Sequence, residues 1–297
     1  VSQSEDAFRQ AVVRQAEAGT ASPAIPLEDL GWIYGFWSSL SPYAYARLED
    51  EVIILPPNLV YKTNATGARL LDFIGRGGRF EDIPGFGPGK AAEIGAFFRD
   101  LKAVYEGRPV TLERIAYDFT FNRLPILGEI AVTYRCNNRC RFCYAGCDSS
   151  AGCDGSANAP AGLPTGYGGE ELDTEGMKRI IDIFKDEAKI PFFSFTGGEP
   201  LLRQDLEELA AYARSRGLRV NLVTNGTLAT PARAASLLAA GISTAQVSLE
   251  APAAELHDRL CGAPGSFNRS VAGIQTMLAA GISVQTNSTL TAANREA

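Results

Sequence analysis

The run Arg135-Cys136-Asn137-Asn138-Arg139-Cys140-Arg141-Phe142-Cys143-Tyr144 gathers three of the six cysteines of the chain. Three thiolates at a Cys-x3-Cys-x2-Cys spacing can cap three irons of a cubane cluster and leave the fourth iron open to another ligand. Thiolates suit zinc about as well on chemistry alone, so the spacing has to be weighed against its context. A structural zinc site wants a fourth ligand, and the single histidine, His257, is distant in sequence. Cys147 would complete a four-cysteine run. The bacterial ferredoxin run, however, opens with a two-residue gap and ends in Cys-Pro, whereas here the first gap is three residues and Asp148 follows Cys147. The spacing favours an open cluster, with zinc and a closed four-cysteine cluster as the competing readings.

Downstream, Ile190-Pro191-Phe192-Phe193-Ser194-Phe195 has the length and apolarity of a buried strand and runs into Thr196-Gly197-Gly198-Glu199-Pro200. Adjacent glycines at the carboxyl end of a strand let a backbone pass close to a ligand, and a carboxylate beside them can bind an ammonium group. Alone, Gly-Gly-Glu reads more simply as a helix-start turn. Following a Cys-x3-Cys-x2-Cys run with an aromatic, Phe142, just before its third cysteine, it resembles the cofactor segment of the radical S-adenosylmethionine (SAM) enzymes. The resemblance implies a 4Fe-4S cluster on Cys136, Cys140 and Cys143. It also implies SAM at the open iron, its amino group held by Gly197, Gly198 and Glu199, with Phe142 among the cofactor contacts.

The hydrophobic pattern keeps that register. Strands are expected at Glu129–Tyr134, Ile190–Phe195, Leu218–Thr224, Thr244–Leu249 and Ile282–Thr289, and helices at Asp173–Ala188, Asp205–Arg216, Pro231–Ala240 and Phe267–Ala280. Gly217, Gly241 and Gly281 each stand where a helix must stop. Short apolar runs alternating with longer helices imply parallel βα units. The expected fold class is α/β, a partial parallel (β/α) barrel of radical SAM type over residues 125–297. A small α+β, winged-helix-like domain over residues 1–124 precedes it. Ligand groups in such a barrel gather at the carboxyl ends of strands, which here carry Thr224-Asn225-Gly226-Thr227, Ser248-Leu249-Glu250 and Thr286-Asn287-Ser288. The family barrel usually has six strands, so a chain with five countable strands is expected to be a fragment.

The phrase Val247-Ser248-Leu249-Glu250, with Leu256-His257-Asp258-Arg259 and Gly265-Ser266-Phe267, is similar to the fourth-strand segment of peptide-modifying and cofactor-maturing members. That similarity implies that Ser248 and Glu250 meet the cofactor ribose and that Arg269, with Arg259 behind it, meets its carboxylate. Thr224 and Asn225 join the cofactor contacts on the same ground. The plainer readings are that Thr224 and Ser248 cap helices and that His257 is a hydrogen-bonded helix-start residue. The family usually has aspartate where Glu250 stands and often arginine where Cys261 stands. The chemistry implied is reductive cleavage of SAM to a 5′-deoxyadenosyl radical that abstracts a substrate hydrogen, fed by a low-potential electron donor such as ferredoxin or flavodoxin. The protein then supplies orientation rather than strong acids or bases. Neither a Gly-x-Ser-x-Gly elbow nor a phosphate loop is present to suggest otherwise.

A net charge of −6 disfavours sequence-independent nucleic-acid binding. No apolar run approaches the roughly 20 residues that span a bilayer, and with no export signal the cysteines read as those of a cytoplasmic protein. In the first domain, Ala7–Ala18 is expected to be an amphipathic helix, Gly31–Trp37 an aromatic core or interface segment, Glu51–Leu55 and Leu59–Thr63 strands, and Ala65–Gly75 and Lys90–Tyr105 helices. Leu59 to Leu71 resembles part of the small peptide chaperone of pyrroloquinoline quinone biosynthesis, which implies a peptide or protein substrate added as a strand to an exposed sheet edge. Maturation of a tetrapyrrole or molybdopterin precursor is the alternative, and a zinc- or cluster-stabilised interaction module without turnover is the reading of a different class. Ile83-Pro84-Gly85-Phe86-Gly87-Pro88-Gly89-Lys90 looks like a helix-hairpin-helix phosphate turn, but Pro88 removes an amide that such a turn needs, so a glycine-rich turn between helices is preferred. Residues 145 to 170, with Cys147 and Cys153, read as a long loop whose thiols are bystanders.

Overall fold

The computed structural model describes residues 30–41, 44–55, 59–108, 124–143 and 171–296. The chain divides into two compact units, Val1–Phe121 and Asn122–Ala297. The expected helix at Ala7–Ala18 and the loop carrying Cys147 and Cys153 lie outside the described residues.

In the first unit, helix α1 (Gly31–Leu40) precedes strands β1 (Tyr45–Arg47), β2 (Val52–Leu55) and β3 (Leu59–Lys62), which pair antiparallel in the order β1-β2-β3. Helices α2 (Ala65–Gly75) and α3 (Pro88–Tyr105) follow. Every residue of β2 is buried, and Ile53 and Leu55 join Ile33, Trp37, Leu71 and Phe98 in one core. The aromatic segment near residue 31 is thus a helix, with Trp37 set edge-on against Phe98 at 6.4 Å. Strand β1 was not expected. Its Arg47 breaks the apolar pattern yet is fully buried, with a bidentate bond to Asp50 at 2.8 and 2.7 Å satisfying the charge. Helix α3 begins at Pro88, two residues before the expected start, because proline suits the first helical position, where no N–H is needed. Lys90 Nζ donates to the Pro84 carbonyl at 2.5 Å.

The second unit is built of βα repeats: β4 (Gly128–Thr133), α4 (Thr174–Asp186), β5 (Phe192–Gly197), α5 (Leu206–Ser215), β6 (Arg219–Thr224), α6 (Pro231–Ala240), β7 (Ile242–Ser248), α7 (Ala254–Cys261), α8 (Ser266–Ala280) and β8 (Ser283–Asn287). All adjacent strands are parallel and their spatial order is their sequence order, β4 to β8. A doubly wound sheet would reverse that order at a switch point; unbroken progression is the winding of a (β/α) barrel. The core explains the near-continuous apolar runs. Phe193 and Phe195 are fully buried and meet edge-on at 5.2 Å, each contributing roughly 1.5–3 kcal/mol by leaving water. Helix α7 was signalled only by the reading of His257 as a helix start, and it begins three residues earlier, at Ala254. Its eight residues include only three buried ones, His257, Leu260 and Cys261, too few to set a period.

Candidate functional site

All five strands run the same way, so the ends of β4, β5, β6 and β7 open on one side, and the chain leaving β4 becomes the cysteine loop. Cys143 N–H donates to the Cys140 carbonyl at 3.1 Å, closing a turn that holds these two residues together. The Asn138 N–H lies 3.4 Å from Cys136 Sγ. None of the three cysteines is in a disulfide, and all are half-buried.

The Gly-Gly-Glu turn at the end of β5 is pressed against the start of that loop. Gly198 N–H donates to the Thr133 carbonyl at 2.7 Å and Glu199 N–H to the Arg135 carbonyl at 2.8 Å. Gly197 has φ +122, and a Cβ there would stand 2.2 Å from the Thr133 oxygen; at Gly198 it would stand 2.2 Å from the Arg135 oxygen. Only glycine at both positions lets the two backbones meet. Glu199 is fully buried. Its Oε1 accepts from Thr224 Oγ1 at 2.6 Å and Leu201 N at 3.0 Å, and its Oε2 from Asn225 N at 2.8 Å. Burial pushes this carboxyl above its ordinary range, and the three donors oppose that shift. Asn225 Nδ2 donates to Asn137 Oδ1 at 2.8 Å, and Asn137 Nδ2 donates to Thr227 Oγ1 at 2.8 Å. The end of β6 therefore grips the cysteine loop directly.

On its other side the loop meets α7. Arg139 N–H donates to the Cys261 carbonyl at 2.8 Å and Arg141 N–H to the Leu260 carbonyl at 3.0 Å. Gly262, at φ +59, ends the helix where a Cβ would sit 2.6 Å from the Arg139 oxygen. Glu250 is buried at the exit of β7, and its Oε2 accepts from Thr289 N at 2.7 Å. Its backbone N–H donates to His257 Nδ1 at 3.1 Å, and His257 Nε2 lies 3.5 Å from Cys261 Sγ. Burial lowers the His257 pKa, keeping the ring neutral. It raises the carboxyl of Glu250, which the Thr289 N–H partly opposes.

The thiols share one electrostatic neighbourhood. Burial pushes Cys136 up to about 12, and the charges of Glu199, Cys140 and Cys143 add to that. Cys140 is raised first by its hydrogen bond to the Cys261 thiol, then by burial, and it also feels Cys143 and Glu250. Two carboxylates, Glu199 near Cys136 and Glu250 near Cys140, thus flank two thiols that resist ionisation unless a cationic centre receives them.

The sequence profile of the Radical SAM superfamily matches residues 130–294, more than half of the chain. The chain belongs to the radical SAM superfamily. The AdoMet-dependent heme synthase of Oleidesulfovibrio alaskensis is 38% identical over 163 residues, 55% of this chain and 38% of that protein. The PqqA peptide cyclase of Ruegeria pomeroyi is 32% identical over 168 residues, 56% of this chain and 40% of that protein. The chain thus spans well under half the length of these curated relatives. Among solved structures, Streptococcus suis SuiB superposes with a TM-score of 0.55 at 18% identity, covering 84% of this chain and 55% of that one. That coverage exceeds the share of residues 122–297, so the likeness in fold extends into the first unit.

Radical SAM proteins use a 4Fe-4S cluster and SAM, and the residues here fit both. Three thiols outside any disulfide lie on one loop at the strand exits. Beside Cys136, the buried Asn138 Oδ1 has no hydrogen-bond partner among the described residues, an acceptor that a donor of a bound group would satisfy.

Of the residues read from the sequence, the three cysteines, Gly197, Gly198, Glu199, Thr224 and Asn225 form one connected network. Glu250 reaches it through His257 and Cys261. Phe142 is half-buried in the cysteine turn and Ser248 half-buried at the end of β7. Arg269 is exposed on the first turn of α8, and its Nη1 donates to the Pro264 carbonyl at 3.2 Å. His257 lies within α7 rather than at a helix start. Thr224 caps no helix; its hydroxyl donates to Glu199 and accepts from Gly226 N at 3.0 Å. Sequence reasoning passed over Asn137 and Arg203. Arg203 is buried and bonds the Val132 carbonyl at 2.8 Å, the Leu172 carbonyl at 2.9 Å and Asp205 at 2.6 Å. The position of Asn137 between Cys136 and Cys140 was the available signal.

Proposed function

We propose that the protein cleaves SAM reductively at a 4Fe-4S cluster on Cys136, Cys140 and Cys143 and uses the radical to modify a peptide or protein side chain. The observation that carries this reading is the double backbone contact of Gly198 and Glu199 with the residues leading into Cys136. It couples the cofactor-binding turn to the cluster loop at a fixed separation. When bound, the cluster supplies the electron and SAM the 5′-deoxyadenosyl radical; everything else asked of the protein is orientation. Gly197 and Gly198 present bare backbone to the cofactor methionine. Glu199 acts as a positioning residue as well as a negative charge, since its three bonds hold the ends of β5 and β6 in register. Ser248 and Glu250 serve the ribose end, with Arg269 toward the cofactor carboxylate, a low-potential ferredoxin or flavodoxin as electron donor, and the cytoplasm as the setting.

The peptide reading is supported by the first unit. Its three-stranded sheet has β1 and β3 as outer strands, the kind of edge to which an extended peptide adds. A SuiB structure of similar fold is described as bound to precursor peptide SuiA. A second reading, maturation of a tetrapyrrole, is favoured by the higher identity to heme synthases, 38% against 32% for the peptide cyclase. Anaerobic reconstitution with iron counting, electron paramagnetic resonance and assay for 5′-deoxyadenosine tests the activity. About four irons and SAM-dependent 5′-deoxyadenosine are expected; tight zinc with no iron uptake would refute it. Deleting residues 1–107 from the intact protein separates the substrates. Loss of precursor-peptide modification with uncoupled 5′-deoxyadenosine retained supports peptide delivery, whereas unchanged turnover of an iron tetrapyrrole supports the second reading.

A further inference from the structure

We propose that Cys261 is a hydrogen-bond donor to the ligand sulfur of Cys140, aimed by His257, and that it raises the reduction potential of the cluster. The inference rests on the cluster reading above and adds to it a device on α7, at a position where the family often has arginine.

The direction of each bond follows from the one before it. The Glu250 backbone N–H can only donate, so His257 Nδ1, 3.1 Å away, must be the unprotonated nitrogen. A neutral ring then carries its proton on Nε2, which faces Cys261 Sγ at 3.5 Å and donates to it. The Cys261 sulfur is thereby an acceptor toward His257, and its own S–H is left to point elsewhere. The thiol set beside it is that of Cys140, bracketed against the end of α7 by the backbone bonds of Arg139 and Arg141 and coupled electrostatically to Cys261. Once Cys140 binds iron it has no proton to give, so Cys261 is the donor of that pair.

The backbone keeps the sulfurs together independently of the thiols. Arg139 N–H and Arg141 N–H bond the carbonyls of Cys261 and Leu260, one bond on each side of Cys140, and Gly262 allows the close approach. Cys261 is 2% and His257 1% exposed, and the Phe267 ring stands edge-on to His257 at 5.6 Å. Water is excluded from the relay, which strengthens each bond. Hydrogen bonds to cluster sulfurs favour the reduced, more negative state and so raise the potential.

The test uses the full chain reconstituted anaerobically with iron and sulfide, as wild type, Cys261→Ala, Cys261→Ser and His257→Ala. All are expected to take up the same iron. At a fixed poise Cys261→Ala should lower the reduced-to-oxidised ratio about tenfold, which is about 59 mV for one electron. Cys261→Ser keeps a donor and should retain most of the wild-type value, and His257→Ala should fall between. An unmoved potential in Cys261→Ala overturns the proposal, as does loss of iron from that variant, which would make Cys261 a ligand. Independently of any variant, pulsed paramagnetic resonance of the reduced wild-type cluster in deuterium oxide should detect an exchangeable deuteron close to the cluster; its absence is equally fatal. A wild type that binds no cluster sinks the functional reading and this inference together, whereas a normal cluster indifferent to Cys261 sinks this one alone.

Discussion

The cysteine loop is held between two walls that both grip its backbone but differ in how far side chains share the work. The β5–β6 wall adds side chains to its two backbone bonds: Glu199 gathers Thr224 and two backbone N–H groups, and Asn225 reaches Asn137. The α7 wall grips the loop by backbone, with Arg139 and Arg141 amides on helix-end carbonyls, and side chains enter only through the His257–Cys261 relay. A side-chain wall depends on residue identity, so it leaves a motif in the sequence. A backbone wall depends on where a helix ends, and many sequences end a helix in the same way. The first wall should therefore be fragile to conservative substitution as well as to changes that obstruct the approach of main chain to main chain, the second mainly to the latter.

Breaking the first wall at its hub should give the largest effect. Glu199→Ala strands the Thr224 hydroxyl and the Leu201 and Asn225 N–H groups in a fully buried place. It should cost about 4 kcal/mol of unfolding free energy in urea. Glu199→Gln should cost less, because its amide oxygen can still serve two of the three donors. A result near zero for the alanine variant would mean that the wall is held by backbone alone.

The glycines compare the walls directly. At Gly198 an added Cβ would meet backbone oxygen at 2.2 Å, against 2.6 Å at Gly262. Gly198→Ala should cost about 3 kcal/mol and lower iron uptake on reconstitution. Gly262→Ala should cost about 2 kcal/mol, much of it from forcing a side chain into left-handed backbone. Equal losses of iron in the two variants would show that the α7 wall constrains the cluster as firmly as the strand wall does. Asn137→Ala removes the links to Asn225 and Thr227 and should cost about 1 kcal/mol, with faster loss of iron to a chelator than wild type.

The smallest effect concerns the support behind the first wall. Burial pushes the Asp205 carboxyl up, but hydrogen bonds from Arg203 and Thr174 outweigh it and hold the group below the usual aspartate range. A carboxyl with a depressed folded-state pKa contributes stability above its unfolded pKa and loses it as pH falls through the folded value. Wild-type unfolding free energy should therefore decline below about pH 4, and Asp205→Asn should flatten that decline without altering stability measured in acid below both values.

Much of this second unit was legible before any coordinates. Helix α6 falls at Pro231–Ala240 as expected, and the five strands differ from expectation mainly at their ends, because apolar runs record burial whereas hydrogen-bonded register sets strand limits. The first unit was less legible. Strand β1 is three residues long and carries a buried arginine, and α1 is so rich in aromatics that its period is obscured.

What the sequence determined by itself is the chemistry: three thiols at a fixed spacing, paired glycines before a carboxylate, and a βα rhythm that places both motifs at strand exits. Those properties are local, set by covalent spacing and by the side-chain period of each element. Tertiary structure decided which groups face which. It turned Glu199 inward onto Thr224 and Asn225, left Arg269 bonded to the Pro264 carbonyl, and brought Cys261, far along the chain, against Cys140. Contacts of that kind depend on how strands and helices distant in sequence pack and where each one stops, so no spacing within the chain could announce them.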